Sequence, residues 1–232
     1  MEGLFDQWHV YSIILARNFM RHAQISTQVR ARLTKDQSLA CVVDLGCGDG
    51  TMARECLRDI GVGLYIGVDL SGDALNRLTL QPPPGLTASS TRVETHCADM
   101  LEVLGNMPAR SADLVLASFS LHHLNADQKH EVLQSVSDVL RNEGQFVWTD
   151  VAREPGHTRA QFLESLDGEI RLTWSSLSPL EIDRILAHIH EADFPEEEPW
   201  MRSAAQVVGL NSWECLYRDA YYGTWIMARS AE

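Results

Sequence analysis

No stretch of this chain approaches the roughly 18 consecutive apolar residues that a membrane-spanning helix requires, so no membrane passage is expected. The opening segment, Met1–Val10, carries acids and lacks a basic region ahead of an apolar core, so it does not read as a secretory signal. Cysteine is sparse and unpatterned, with five residues at 41, 47, 56, 97 and 215 and no C-x-x-C spacing. An odd count without that spacing argues against a disulfide framework and against a zinc cluster. Cys41 and Cys97 lie in apolar runs, where a thiol acts as a small hydrophobe. A reduced, cytoplasmic protein is the expectation. Basic side chains are outnumbered 19 to 32, for a formal charge of −13. A surface of that sign repels a phosphate backbone, which disfavours nucleic acid and favours small-molecule partners. No H-x-x-x-H pair occurs, and His188 and His190, two apart, cannot share a helix face, so no metal site is expected. Internal repeats and low-complexity tails are absent.

What is present is an ordinary globular mixture. The 232 residues are 45 % hydrophobic and 22 % charged, enough to bury one core with a modest insertion. Trp8, Tyr11, Leu15 and Phe19 recur at steps of three and four, which predicts an amphipathic helix from Leu4 to about Arg32. Cys41–Leu45 is a short apolar run entering glycine-rich sequence, the pattern of a buried strand ending in a tight turn. Ala53, Cys56, Leu57 and Ile60 follow at helical spacing. Leu64–Asp69 reads as a second buried strand, and Ser71 can cap a helix carrying Ala74, Leu75 and Leu78. Gln81–Gly85, with three prolines, must be loop. Thr91–Cys97, Ala112–Ser118 and Gln145–Asp150 continue as strands three to five. Between the last two, Val132, Leu133, Val136, Val139 and Leu140 form a helical stripe, with Asn125 as its cap and Gly144 beyond its end. Repeated strand–helix–strand units imply a parallel sheet covered on both faces. From Glu154 to about Val208 the pattern is helical without a strand. Ser178-Pro179-Leu180-Glu181 starts one helix there, and Phe194-Pro195 breaks it. Trp213–Tyr217 and Thr224–Ala228 read as an antiparallel pair. The organisation is one domain, with a helical cover over 1–35, a ligand-binding core over 40–151, an insertion over 154–208 and a strand pair over 209–232.

The chemistry concentrates at the ends of the early strands. Gly46, Gly48 and Gly50 alternate directly after the first strand, letting the backbone turn sharply and approach a ligand without side chains intervening. Asp44, where that strand ends, can accept from an ammonium group or from loop amides. The spacing differs from the G-x-G-x-x-G of nicotinamide-binding folds. Asp69 closes the next strand, where a carboxylate can accept both hydroxyls of a ribose; its plainer role is to cap the helix near Ser71. Asp99, after strand three, can accept from an adenine amino group while Met100 covers the ring, and it too can serve simply as a helix cap.

These segments, Asp44–Gly50, Gly67–Ser71 with Leu70 beside the acid, Ala98-Asp99 and Leu114–Leu124, occur in an order and at intervals that resemble class I S-adenosylmethionine-dependent methyltransferases. Glu143–Phe146 is similar to the turn before that family's fifth strand, although Gln145 stands where glycine is common. The likeness is good over about 40–151 and looser over the C-terminal strand pair. It implies a Rossmann-like α/β fold, a seven-stranded mostly parallel sheet with its last strand antiparallel. It also implies S-adenosyl-L-methionine as cofactor. The loop of Asp44, Gly46, Cys47, Gly48 and Gly50 would hold the methionine portion, Asp69 and Leu70 the ribose, Asp99 and Met100 the adenine. Ser118 would face the sulfonium.

Methyl transfer is an in-line displacement, so alignment of donor and acceptor in a dry site is the protein's main task. The expected acceptor is an oxygen, nitrogen or sulfur atom of a small molecule. His122 and His123 follow strand four on the expected rim; either could remove a proton, and His122 is the first choice. Each can equally pack or cap a helix. Tyr11, His22 and Asp150 are lesser candidates. Tyr11 and Arg17 lie on or near the inner face of the N-terminal helix, where Arg17 could bind the cofactor's carboxylate. Trp174 and Trp200 could line an acceptor pocket. The alternatives are a cofactor-binding scaffold without turnover and, less favoured, a nicotinamide-dependent oxidoreductase. Monomer and homodimer both remain open.

Overall fold

The computed structural model describes residues 3–33, 38–80 and 91–229. The loop expected at Gln81–Gly85 and the side chain of Trp8 lie outside what is described. The strands are β1 (Ser38–Leu45), β2 (Gly61–Asp69), β3 (Arg92–Cys97), β4 (Ala112–Ser118), β5 (Leu140–Arg153), β6 (Glu196–Glu197), β7 (Ser212–Arg218) and β8 (Tyr222–Ala228). They form one sheet in the order β3-β2-β1-β4-β5-β8-β7, with the short β6 pairing β5 off this path. Neighbours from β3 to β5 are parallel, while β8 runs antiparallel to both β5 and β7. The expected Rossmann-like sheet with an antiparallel last strand is thus the observed one.

Helices cover both faces because the central strands are apolar on both. Val42, Leu114, Leu116 and Val147 pack with α2 (His22–Arg32), α3 (Thr51–Cys56), α4 (Gly72–Leu80), α7 (Arg159–Thr173) and α8 (Pro179–Ala192). Their chain neighbours Val43, Val115 and Phe146 face α5 (Met100–Asn106), α6 (Ala126–Val139) and α9 (Glu198–Val207). Successive side chains of a strand point to opposite faces, so a continuous apolar run can build two cores at once. Asn125 and Ser178 cap α6 and α8 in reciprocal capping boxes, as expected of those sequences. No helix among the described residues is long and apolar enough to cross a membrane.

Three expectations are corrected. The N-terminal segment is not one helix: α1 (Gly3–Ala16) ends before α2, and both Asn18 and Arg21 adopt positive φ between them. Asn18 makes that break favourable, because its carboxamide accepts from the Ala23 amide at 2.8 Å and donates to Gln24 at 2.6 Å. The fifth strand is longer than Gln145–Asp150, since the chain leaves α6 directly into pairing at Leu140 and turns at Glu143, φ 67°, rather than at Gly144. Finally, the 154–208 segment holds a strand, the two residues of β6.

Strand order reverses at β1, which has β2 on one side and β4 on the other. Crossovers leave in opposite directions there, opening a crevice at the carboxyl ends of the two strands. Gly46 and Gly48 turn out of β1 into that crevice at φ 69° and 55°. A Cβ on Gly46 would lie 2.3 Å from the Ser120 Cβ, whereas one on Gly48 would meet nothing within 4 Å. Gly46→Ala is therefore expected to destabilise the fold by roughly 2–4 kcal/mol, backbone strain plus overlap, and Gly48→Ala by about 1–2 kcal/mol, strain alone. Urea unfolding of both variants checks the contrast; equal losses would refute it.

Candidate functional site

The crevice holds a cavity of about 450 Å3 lined in part by Asp44, Gly46, Cys47, Gly48, Asp69 and Ser118. Tyr11 from α1, Met20 and His22 from the N-terminal break, and Phe119 and His123 beyond β4 complete much of its wall. The glycine loop is fastened to the neighbouring strands. The Gly46 and Cys47 amides donate to the Val68 carbonyl at 2.8 and 3.0 Å, and the Ser120 hydroxyl donates to the Leu45 carbonyl at 2.8 Å. Asp69 bridges this loop to the next helix, accepting from the Gly48 amide and from the Ser71 amide, each at 2.8 Å. Both readings of Asp69 are therefore compatible with the structure: it sets the start of α4, and its carboxylate still faces the cavity with lone pairs to spare.

Asp44 is buried and accepts from the Tyr65 hydroxyl at 2.6 Å. Burial pushes its carboxyl up to about 7; the Tyr65 hydrogen bond opposes this and the charge of Asp69 adds to it. Burial also raises the Tyr11 phenol, reinforced by Asp49, Asp44 and Asp69. The cavity floor is thus an acidic, poorly hydrated place.

On the opposite wall His22 is buried, its Nδ1 has no hydrogen-bond partner, and its ring lies 5.1 Å from that of Phe119. Burial holds His22 down to about 4, so the imidazole is neutral at ordinary pH. Phe119 itself sits at φ 55°, an uncommon conformation for an aromatic residue and one that persists only where surroundings impose it. Here its amide donates to the Thr149 carbonyl at 2.8 Å and its ring meets Tyr222 edge-on.

The two adjacent histidines part company. His122 is buried beside Asp150, its backbone amide donating to that carboxylate at 3.0 Å and its Nδ1 hydrogen-bonded to it. Burial works against a charged His122 ring, but Asp150 and Asp193 outweigh it and hold the imidazole above its ordinary value. Asp150 is held below the usual carboxylate range, because its contacts with His122 and the Trp148 indole overcome burial. His123 is half-exposed and lines the cavity, whereas His122 does not. The first-choice base thus sits in a buried network and its neighbour faces the site.

Other expected residues lie elsewhere. Asp99 is exposed and caps α5, accepting from the Leu101 amide at 2.8 Å; neither it nor Met100 lines the cavity. Leu70 is 76 % exposed, and Gly50 caps α3 behind the loop. Arg17 is exposed, in a shallow depression with His9, Ser12 and Ile13 away from the cavity. Trp174 stacks on Phe19 at 5.0 Å within the core, and Trp200 packs against His130. Sequence reasoning passed over Met20, Phe119 and Asp193, none of which carries a local spacing signal.

Residues 42–144 match the family model described as a methyltransferase domain. That match runs from β1 into β5, the part of the chain that builds the crevice. It is 28 % identical over 137 residues to an uncharacterized methyltransferase of Schizosaccharomyces pombe, covering 57 % of this chain and 49 % of that protein. It is 27 % identical over 149 residues to the carboxy-S-adenosyl-L-methionine synthase of Idiomarina loihiensis, covering 63 % and 58 % respectively. The chain thus spans about half the length of these relatives. Among solved structures, an O-methyltransferase family 2 protein from Planctomyces limnophilus in complex with apigenin superposes with a TM-score of 0.65 at 14 % identity, over 99 % of this chain and 62 % of that one. The methyltransferase fold places the glycine loop, Asp44 and Asp69 at the crevice where the strand order reverses.

Because Asp44 is raised to about 7, the folded chain between about pH 4 and pH 7 holds a proton that the unfolded chain releases. Stability is therefore lost as pH rises through that window. Asp44→Asn removes the penalty and should stabilise the ligand-free protein by roughly 2–4 kcal/mol at pH 8, with little difference near pH 4. Urea unfolding at the two pH values measures it, and a variant less stable than the parent at pH 8 would contradict the assignment.

Proposed function

We propose that the chain binds S-adenosylmethionine in this cavity and transfers its methyl group to an oxygen, nitrogen or sulfur atom of a small molecule. One observation carries the reading: a left-handed glycine loop and two carboxylates, Asp44 and Asp69, meet at the ends of adjacent strands in one crevice. The residues fit the group. Gly46 and Gly48 line the cavity with no side chain, so the loop backbone itself can form the cradle. The buried Asp44 is short of positive charge, which the cofactor's ammonium would supply. Asp69 has acceptor capacity left for ribose hydroxyls. Asp99 and Met100 do not line the cavity but follow β3, the strand beside β2, and the adenine end is proposed to extend toward them.

When bound, the cofactor supplies an activated methyl carbon on a sulfonium. The chain's own contribution is alignment and exclusion of water. Ser118 and Phe119 close the end of β4, and Tyr11 and Met20 cover the opening from the N-terminal helices. Neutral His22, with its unpartnered Nδ1, offers a hydrogen-bonding position to an acceptor on the apolar wall. A cavity of about 450 Å3 falls in the range for small-molecule sites, ~300–1,000 Å3, and the net charge of −13 disfavours a nucleic-acid acceptor. The likeness to a synthase of carboxy-S-adenosylmethionine supports a second reading, in which the bound cofactor is itself modified rather than spent as a methyl donor.

Calorimetry with S-adenosylhomocysteine should show one site, and nicotinamide dinucleotides should show none. Asp69→Ala should weaken that binding by about 1–3 kcal/mol, since hydroxyls and loop amides lose their acceptor. Radiolabelled methyl incorporation into a metabolite extract, with S-adenosylhomocysteine as co-product, separates transfer from cofactor modification and from a scaffold without turnover. The histidines should divide as well. His122→Ala strands Asp150 and should cost about 3–5 kcal/mol of stability. His22→Leu should leave stability intact, because it removes an orphaned polar atom, while lowering methyl incorporation about a hundredfold. Full incorporation by the His22 variant would remove it from the acceptor site.

A further inference from the structure

At the edge of the cavity, two adjacent histidines beyond β4 and an aspartate at the end of α8 converge. The ligand atoms of His122, His123 and Asp193 lie within 4.8 Å of one another. Asp193 Oδ1 stands 3.6 Å from His122 Nε2 and 3.4 Å from His123 Nδ1. These separations are too long for charge-assisted hydrogen bonds, which close to about 2.7–2.9 Å. They match neighbouring ligands of one cation, since donors ~2.0–2.1 Å from a tetrahedral ion stand roughly 3.3 Å apart. We propose that His122 Nε2, His123 Nδ1 and the Asp193 carboxylate form a site for a single zinc(II) ion at the edge of the cavity.

Independent features support it. Asp193 is 5 % exposed, and its Oδ1 is buried without a hydrogen-bond partner. An orphaned carboxylate oxygen is costly unless something positive meets it. Lys129, the nearby buried cation, is already engaged, donating to the Glu196 carboxylate at 2.9 Å and to the Phe194 carbonyl. The Asp193 segment is also held in place. The Phe194 amide donates to the His122 carbonyl at 2.6 Å, and Arg159 Nε donates to the Asp193 carbonyl at 2.6 Å. His122 carries the outer support that metal-bound histidines have. With Nδ1 hydrogen-bonded to Asp150, and Asp150 accepting from the Trp148 indole at 3.0 Å, Nε2 is the ring nitrogen that faces Asp193 and would give up any proton to a metal ion.

Two imidazoles and one carboxylate are a ligand set zinc accepts, and three protein ligands leave a fourth position open. His123 lines the cavity, so a group bound in the cavity would lie beside the metal site. On the methyl-transfer reading above, an acceptor hydroxyl or thiol would bind there and lose its proton to solvent. The metal site itself does not depend on that reading.

The test is zinc(II) titration of chelator-treated full-length protein by calorimetry, with metal content by mass spectrometry and cobalt(II) as spectroscopic probe. One zinc per chain is expected, with visible cobalt bands of a four- or five-coordinate site and a zinc-dependent rise in melting temperature. Asp193→Asn and His123→Ala should fold as the parent does yet lose the site and the bands, while Asp150→Asn should weaken zinc binding about 10- to 100-fold. Absence of stoichiometric zinc in the parent, or equal affinity in the Asp193 and His123 variants, overturns the proposal. S-adenosylhomocysteine binding measured on the same samples keeps the two readings apart. Cofactor bound without zinc defeats only the metal site, and zinc bound without cofactor defeats only the methyl-transfer reading.

Discussion

The reversal of strand order at β1 is the constraint on which the site depends. Only there do crossovers leave in opposite directions, so the carboxyl ends of β1 and β4 stay uncovered. The opening would collapse or splay unless the two ends were tied. Ser120 ties them, its hydroxyl donating to the Leu45 carbonyl while its Cβ occupies the space a side chain on Gly46 would need. Glycine at 46 is therefore a packing requirement between two strands as well as a left-handed turn. The cavity begins where that contact ends.

The electrostatics of the crevice follow from its depth. Asp44 and Asp69 close adjacent parallel strands, and Asp49 lies in the loop between, so negative charge gathers where water is scarce. Asp69 is satisfied by backbone amides. Asp44 has one hydroxyl from Tyr65 and is driven toward neutrality. A site of this kind stores the energy of an unmet charge, which a cationic ligand releases on binding. The same logic recurs at Asp193, whose buried Oδ1 has no hydrogen-bond partner.

Local physics made much of this legible in the sequence. Alternating glycines after an apolar run, an acid at the end of the next one, and capping residues ahead of periodic stripes all act over a few residues, and β1, β2, β4, α6 and α8 follow from them. The antiparallel C-terminal pair was equally readable. Other features depend on contacts no local pattern encodes. Nothing in Leu121–Leu124 says which histidine turns inward; Asp150, 28 residues on, decides it. Asp193 reaches His122 from beyond a second helix, and its neighbours Phe194-Pro195 announce only a break. Arg17 sits at the edge of a helix that stops at Ala16, so the face it was expected to share does not exist there.

That break shapes the helical side of the cavity. In one straight helix Tyr11 and His22, eleven residues apart, would share a face yet stand about 16 Å apart along the axis. They could not then line a single pocket of about 450 Å3. The left-handed residues Asn18 and Arg21 fold the segment back, and Arg21 is held there by Asp219 at 3.1 Å, next to the β7–β8 turn. Tyr11 is thereby brought over the glycine loop while Met20 and His22 press against Phe119 and the end of β4. The glycine-loop side of the crevice is built from strand ends that the topology makes rigid. The helical side rests on a break pinned by Asn18 and by the ion pairs of Arg21 with Asp219 and Glu169, so on the proposed function acceptor preference would change through the cover without disturbing the glycine loop.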